Sequence, residues 1–261
     1  MIERLNTQEQ AKLRRAGRCA AAVLDEVLDA VTVGMSTSQL DACARDAILR
    51  RGARSSQLGH HGFSGHVCTS RNDVVCHGIP NPRERIEAGD IINVDVTVEL
   101  DGFHGDTSRT IAVGEVSAQA RGLIRETYNA LEKGIAAVRS GARIGDIGAA
   151  IQSHALTHGL SVVRDYCGHG IGREMHMEPQ IPHVGSRGRG LRLLEGMAFT
   201  IEPMLNLGGS ECTVDPDGWT VRTRDKSWSA QFEHTVLVTG TGVEVMTDLA
   251  SPRSRTSPGQ L

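Results

Sequence analysis

The chain contains 261 residues, of which 39% are apolar and eight are aromatic (4 Phe, 2 Tyr and 2 Trp). Its 28 basic and 31 acidic residues give a net charge of −3, which argues against a broad basic face for nucleic acid. No apolar run approaches the roughly 20 residues of a membrane span, and residues 1–17 lack the apolar segment of a secretion signal. We therefore expect a cytoplasmic protein that binds neither membranes nor nucleic acid.

Two helices are predicted early in the chain. The first spans Thr7 to Val31, where Thr7 and Gln10 have the spacing of a capping box and apolar residues recur at helical intervals. The second runs from about Thr37 to Arg51 and is ended by Gly52.

A hairpin follows in residues 90–113, where apolar and polar residues alternate around Asp101-Gly102, a dipeptide typical of two-residue turns. This turn would place Asp95 opposite Ser108 and Asp106 opposite Thr97, all on one face of the sheet. The two aspartates are then diagonal neighbours. Such a pair raises the pKa of both carboxyl groups unless a cation lies between them.

The pattern recurs after Ser117, with helices predicted near 117–139 and 145–158. A shift of 107 residues aligns the turn glycines Gly34 and Gly141. We therefore predict two helix–helix–hairpin halves, with coincidental helical periodicity as the alternative. The predicted bounds are 7–113 and 117–248 for the halves, 1–250 for a single catalytic domain, and 251–261 for a disordered tail.

Two further acids lie in apolar, strand-like segments of the second half. The 107-residue shift aligns Glu202 with Asp95, and Glu233 lies in a similar run. Buried carboxylates are costly unless they are paired or bind a metal, although a solvated polar strand face is the commoner arrangement. Four acids carry a charge that two divalent cations would offset, and such a pair of cations activates a water between them for hydrolysis.

Histidine and cysteine complete the candidate chemistry. His77 and His169 are flanked by glycines, which permit a close approach of the backbone. The H-E-x-x-H motif of zincins is absent from the sequence. The six cysteines are widely spaced and never form C-x-x-C, so we expect reduced thiols.

Six strings together resemble a type I methionine aminopeptidase. They are Val-Cys-His77-Gly-Ile-Pro, Asn-Val-Asp95-Val-Thr, Gly-Asp106-Thr-Ser-Arg-Thr, Gly-His169-Gly-Ile-Gly-Arg, Thr-Ile-Glu202-Pro-Met and Gln-Phe-Glu233-His-Thr. They occur in the family's order, and the resemblance runs from about residue 3 to residue 247. It implies the pita-bread fold, an α/β (α+β) architecture with pseudo-two-fold halves around a curved antiparallel sheet.

The resemblance also implies a dinuclear metal centre. Asp95 would bind one ion, His169 and Glu202 the other, and Asp106 and Glu233 would bridge both. His77 and His176 match the family's substrate-contacting histidines, and Glu202 is our choice for the proton shuttle. A hydroxide bridging the ions would attack the first peptide bond. Co, Mn, Fe and Zn remain open as the two divalent ions.

The methionine pocket departs from the family pattern. Cys68 and Trp219 match pocket positions, and Phe63 replaces a frequent tyrosine. The remaining wall differs: His60 stands where another tyrosine is usual, Gln57 where a cysteine is usual, and Met175 where a phenylalanine is usual. We expect weaker selectivity for methionine from a pocket with fewer aromatic walls.

The expected partner is a newly made polypeptide with a free N-terminal methionine. We expect a monomeric enzyme that encounters this substrate near the ribosome. A non-catalytic pita-bread binding protein is one alternative, although it would be expected to have lost metal ligands. A proline-specific peptidase or creatinase is another, although those enzymes usually carry an additional N-terminal domain.

Overall fold

The computed structural model describes residues 2–249, so the predicted tail at 251–261 lies outside the described residues. The helices are α1 (Thr7–Asp29), α2 (Thr37–Arg50), α3 (Ala118–Ala136) and α4 (Ile144–Thr157), and a 3-10 turn spans His60–Gly62. The strands are β1 (Arg54–Ser55), β2 (Cys68–Arg71), β3 (Val74–Cys76), β4 (Ile91–Leu100), β5 (Phe103–Ala112), β6 (Ser161–Val162), β7 (Gly168–Gly170), β8 (Met177–Ile181), β9 (Ala198–Ile201), β10 (Met204–Asn206), β11 (Cys212–Val214), β12 (Val221–Thr223), β13 (Ser229–Val238) and β14 (Val243–Val245).

The N-terminus of α1 is capped one residue earlier than the sequence predicts. The Asn6 side chain accepts hydrogen bonds from the backbone of Gln8 and Glu9, and the Glu9 carboxylate accepts one from the Asn6 backbone. The predicted Thr7–Gln10 capping box is therefore wrong. Asn6 occupies the N-cap position because asparagine is a better cap than threonine and because glutamate follows it at the spacing of a capping box.

The predicted hairpin is confirmed together with its register. Strands β4 and β5 are joined at Asp101-Gly102, where both residues have the positive φ that such a turn requires. Asp95 pairs with Ser108 and Thr97 with Asp106, as the turn implies. This hairpin is central to the larger sheet, in which the strand order is β1-β4-β5-β13-β9-β7-β8 and neighbouring strands are antiparallel.

The repeat is confirmed for the helices and the first strand of each hairpin. Helices α2 and α4 have bounds that differ by 107 residues at both ends, and β9 with β10 follows β4 at the same offset. The second strand of the second hairpin does not follow the offset. β13 begins at Ser229, later than a 107-residue shift of β5 would place it, because residues 207–228 contain β11 and β12, which form a small sheet with β3.

All four helices cover one face of the larger sheet. Val94, Val96 and Val98 of β4 are fully buried in the cluster that α1 and α2 form, while Phe232 and Val236 of β13 pack into the cluster of α3 and α4. Alternation along each strand therefore turns Asp95, Asp106 and Glu233 to the opposite face. No helix among residues 2–249 has both the length and the apolar content to cross a bilayer.

Candidate metal centre and active site

A cavity of about 550 Å³ lies on the helix-free face of the sheet. Every side chain that the sequence assigned to metal, catalysis or substrate lines this cavity. They are Gln57, His60, Phe63, Cys68, His77, Asp95, Asp106, His169, Met175, His176, Glu202, Trp219 and Glu233. The structure thus brings together residues that are spread over 177 positions of the sequence, from Gln57 to Glu233.

Four carboxylates form what we call the acidic cluster: Asp95, Asp106, Glu202 and Glu233. Asp95 on β4 and Glu233 on β13 are both paired with Ser108 of β5, so the three residues form one row across the sheet. Asp106 lies on β5, and Glu202 follows the last residue of β9. Adjacent antiparallel strands therefore bring together four acids from both halves of the chain.

His169 on β7 closes the acidic cluster. Its Nε2 atom lies 3.7 Å from Asp106 Oδ2 and 3.6 Å from Glu202 Oε1. Its Nδ1 atom lies 3.1 Å from the carbonyl oxygen of Gly170, which can only accept, so Nδ1 carries the proton. The lone pair of Nε2 is then aimed at the carboxylates, as in a metal-ligating histidine.

Burial controls the charge state of these groups. It raises the pKa of Asp106 to about 7 and that of Glu202 to about 8, and it raises the pKa of Asp95 and of Glu233 well above their usual range. Burial also lowers the pKa of His169 to about 3, so its imidazole is neutral. Four carboxyl groups whose pKa values burial raises are costly to ionise without a counter-charge.

The cluster fits divalent metal ions. Asp95 Oδ1 is buried and has no hydrogen-bond partner among residues 2–249. Ligand atoms of Asp106, His169 and Glu233 lie within 4.8 Å of one another. Carboxylate oxygens with one neutral imidazole are a donor set that Mn, Fe, Co and Zn all accept.

Comparison with known proteins also indicates a metal-binding protein. The model of "Metallopeptidase family M24" matches residues 11–240. The chain belongs to metallopeptidase family M24. It is 55% identical to "Methionine aminopeptidase B" of Synechocystis, over 93% of this chain and 90% of that protein. The solved methionine aminopeptidase of Rickettsia prowazekii is 50% identical and superposes with a TM-score of 0.94, covering 95% of this chain and all of that one.

Within M24 the chain groups with the methionine aminopeptidases, which confirms both the resemblance and the expected fold. The prolidase of Pyrococcus furiosus is similar in fold alone, at 21% identity and a TM-score of 0.75, with this chain covering 65% of that one. M24 enzymes are metallopeptidases, so the chain is a metal-dependent hydrolase, and the two alternative classes considered from the sequence lose their support.

Two candidate substrate-contacting histidines lie beside the acidic cluster and His169. The ring centroid of His176 is 4.4 Å from that of His169 and 5.2 Å from that of His60. His77 has a φ of 57°, a conformation that non-glycine residues rarely adopt, and its ring centroid is 6.0 Å from Trp219. Burial lowers the pKa of His77 and of His176 to about 4, so both rings are neutral near pH 7.

The candidate methionine pocket occupies one end of the cavity. Phe63 and Trp219 meet edge to face, with centroids 5.2 Å apart. Gln57 donates from Nε2 to Cys68 Sγ at 3.5 Å and to the Asp95 carbonyl oxygen at 3.3 Å. Burial raises the pKa of the Cys68 thiol well above its ordinary value, so Cys68 is protonated and apolar in character. All six cysteines lie within the described residues and are free thiols, as expected.

Sequence reasoning missed several side chains that hydrogen-bond with Glu202 of the acidic cluster. Thr200 donates to Glu202 Oε1 at 2.7 Å, Gln231 donates to Glu202 Oε2 at 3.3 Å, and the Glu202 backbone donates to His183 Nε2 at 3.2 Å. Thr200 and Gln231 each lie two residues before an acid of the cluster, hence on the same strand face. A polar residue two positions from a buried acid was the signal that could have found them.

Proposed function

We propose that the chain removes the N-terminal methionine from newly made polypeptides with the help of two divalent metal ions. The observation that carries this proposal is the convergence of four buried carboxylates and one neutral imidazole in a single cavity. In this proposal the residues that would hold the ions are Asp95, Asp106, His169, Glu202 and Glu233.

Two bound ions would stabilise hydroxide near neutral pH and draw charge from the peptide carbonyl, which is the chemistry that the side chains alone lack. The chain's residues supply the rest. Glu202 accepts the proton of the attacking water, because hydrogen bonds from Thr200 and Gln231 orient its carboxylate within the acidic cluster.

The two neutral histidines act on the substrate. His176 donates a hydrogen bond to the oxygen of the first peptide carbonyl, where negative charge develops during attack. His77 contacts the scissile nitrogen and assists its departure as an amine. Because burial lowers the pKa of both rings to about 4, each is neutral and has one N–H that can donate a hydrogen bond without adding positive charge to the cavity. The proton that the departing amine gains is the one that Glu202 takes from the attacking water.

The methionine side chain would enter the pocket of Phe63, Trp219, Cys68, Met175 and His60. This wall offers two aromatic rings, a protonated thiol and a thioether, which suit an apolar side chain containing sulfur. The substituted wall supports the expectation of weaker methionine selectivity.

Metal removal and add-back test the proposal. Chelation should abolish the release of methionine from a Met-Ala-Ser peptide, and adding back Mn, Fe, Co or Zn separately should restore it with at least one ion. Asp106→Asn should remain inactive with every ion because it removes a shared ligand. Asp101→Asn makes the same chemical change in the exposed turn of the same hairpin and should leave activity intact.

Two outcomes would contradict the proposal. One is methionine release that survives complete chelation. The other is the absence of methionine release with any of the four ions, which would fit a binding protein of this fold, whereas preferential cleavage of an Xaa-Pro dipeptide would fit a prolidase.

We further propose that the enzyme works as a monomer in the cytoplasm, close to the ribosome, because its substrate is the free N-terminus of a new chain. Co-sedimentation with translating ribosomes, and sedimentation velocity of the purified protein, test the two parts separately. A protein found only away from ribosomes, or only as an oligomer, would contradict the corresponding part.

A further inference from the structure

Three side chains of types that can bind a metal meet outside the cavity, between α3 and the C-terminal end of α4. His154 lies in the last turn of α4 and His158 caps the C-terminus of that helix, with ring centroids 4.3 Å apart. Glu126 faces them from α3. Ligand atoms of the three side chains lie within 4.8 Å of one another. We call this group the helix-end cluster; the peptidase mechanism has no use for it.

The distances within the helix-end cluster suit a small divalent ion. Both histidine Nε2 atoms converge on one oxygen, Glu126 Oε2, at 3.0 Å from His154 and 3.5 Å from His158. Tetrahedral zinc with bonds of about 2.0–2.2 Å holds its ligand atoms about 3.4 Å apart. The observed nitrogen–oxygen distances lie on either side of that value, so the three ligands need little rearrangement to bind an ion.

Neighbouring groups orient the ligands. His158 Nδ1 lies 2.9 Å from the His154 carbonyl oxygen, which can only accept, so Nδ1 carries the proton and Nε2 presents its lone pair to Glu126. Arg125 donates to Glu126 Oε1 at 2.7 Å, and Asn129 donates to Oε2 at 3.0 Å. Burial would raise the pKa of Glu126, but the hydrogen bonds from Asn129 and Arg125, together with His158 and His154, lower that pKa, which keeps the carboxylate charged.

The fold does not require these residues. At the 107-residue offset, the first half has Cys19, Ala47 and Arg51 where the second half has Glu126, His154 and His158. Helices α1 and α2 pack with Cys19 and Ala47 in their shared apolar cluster, and Arg51 donates to the Ala22 carbonyl oxygen. A carboxylate with only 9% of its side chain exposed, facing two imidazoles, is thus a property of the second half alone.

We propose that Glu126, His154 and His158 form a second metal site that binds one zinc-class divalent ion and clamps α3 to α4. Two imidazoles and one carboxylate are the ligand set that Zn²⁺ accepts with a fourth position open. That position faces solvent, because 38% of the His158 side chain is exposed. The site is independent of the metal centre in the cavity.

Zinc titration of the full chain tests the proposal. In a background of Asp106→Asn with Glu233→Gln, which disables the cavity ligands, calorimetry should still detect zinc binding outside the cavity. Adding His158→Ala should remove one equivalent or weaken its Kd by at least about tenfold. The control Leu156→Ala, an exposed residue on the same turn, should leave the titration unchanged.

Two further measurements distinguish a variant that has lost the metal site from one that fails to fold. In the otherwise unaltered chain, His158→Ala should reduce the zinc-induced rise in Tm while leaving methionine release at limiting Mn²⁺ unchanged. Asn129→Ala should weaken zinc binding at this site by about 10–100-fold without changing the stoichiometry, because it only orients Glu126. Identical zinc stoichiometry and Kd in the His158→Ala and Leu156→Ala variants would overturn the proposal and leave an ion pair between the helices.

Discussion

His60 lines the cavity at a position where we expect residue identity to affect substrate choice. Its ring lies on the wall of the candidate pocket, 5.2 Å from His176, where a larger phenol would extend the apolar contact. We predict that His60→Tyr raises the ratio of kcat/KM for Met-Ala over Leu-Ala peptides by about tenfold, since small changes in apolar fit discriminate on this scale. His61→Tyr is the control, because the neighbouring ring is exposed. An unchanged ratio in His60→Tyr would mean that the altered wall does not set selectivity.

Thr97 acts on the acidic cluster through a single hydrogen bond. Its hydroxyl donates to Asp106 Oδ1 at 2.8 Å from a fully buried position. Thr97→Val keeps the shape and removes the donor, so we predict a loss of about 10–100-fold in metal affinity, with kcat largely recovered at saturating metal. Thr69→Val on the adjacent β2 is the control, because the Thr69 hydroxyl has no partner among residues 2–249. Equal metal affinities in the two variants would contradict the role of Thr97.

At the scale of the element, the start of α1 tests which residue caps the helix. Asn6 bonds the backbone of two residues of the first turn, whereas Thr7 is already helical. We predict that Asn6→Ala lowers the free energy of unfolding by about 1 kcal/mol, a fall in Tm of about 2–4 °C for a chain of this size. Thr7→Ala should change Tm by much less. The reverse order in thermal denaturation would restore the cap that the sequence suggested.

The elements differ in how well local sequence determines them. The β4–β5 hairpin could be predicted to its register because Asp101-Gly102 fixes the turn and strand alternation fixes the faces. The positions of Thr200 and Gln231 could have been identified, because each lies two residues before an acid, but the contact of Gln231 with Glu202 could not, because the pairing of β13 with β9 is set by tertiary contacts. The α1 cap was misplaced because Asn6–Glu9 and Thr7–Gln10 both have the required spacing.

At the scale of the whole molecule, the duplication explains why the position of Glu202 could be inferred from that of Asp95. The 107-residue offset relates Asp95 to Glu202 and also relates two isolated bridges, Ser36–Arg85 and Arg143–Arg192. It does not relate Asp106 to Glu233, because residues 207–228 lengthen the second hairpin. That longer connection brings Trp219 to the cavity, a long-range contact that no local pattern contains. The family resemblance supplied Trp219 and the assignment of ligands to individual ions.

The acidic cluster links the stability of the whole chain to pH and metal. Without metal, Asp106 and Glu202 have folded pKa values of about 7 and about 8, above the value of about 4 expected in the unfolded chain. The folded state therefore binds more protons between these limits, and stability falls as pH rises through them. Each group contributes up to about 1.4 kcal/mol per pH unit. Histidines with lowered pKa values change the stability below about pH 6.5, where the unfolded chain gains their protons.

We predict that the Tm of the metal-free chain falls between pH 6.5 and 8, and that saturating Mn²⁺ removes or reverses this slope because the ions bind the ionised carboxylates. Glu202→Gln should flatten the slope of the metal-free chain, whereas Glu115→Gln, an exposed carboxylate outside the cavity, should not. Thermal denaturation at half-unit pH steps, with and without metal, measures all four curves. Parallel curves with and without metal would show that the buried acids do not couple ion binding to folding.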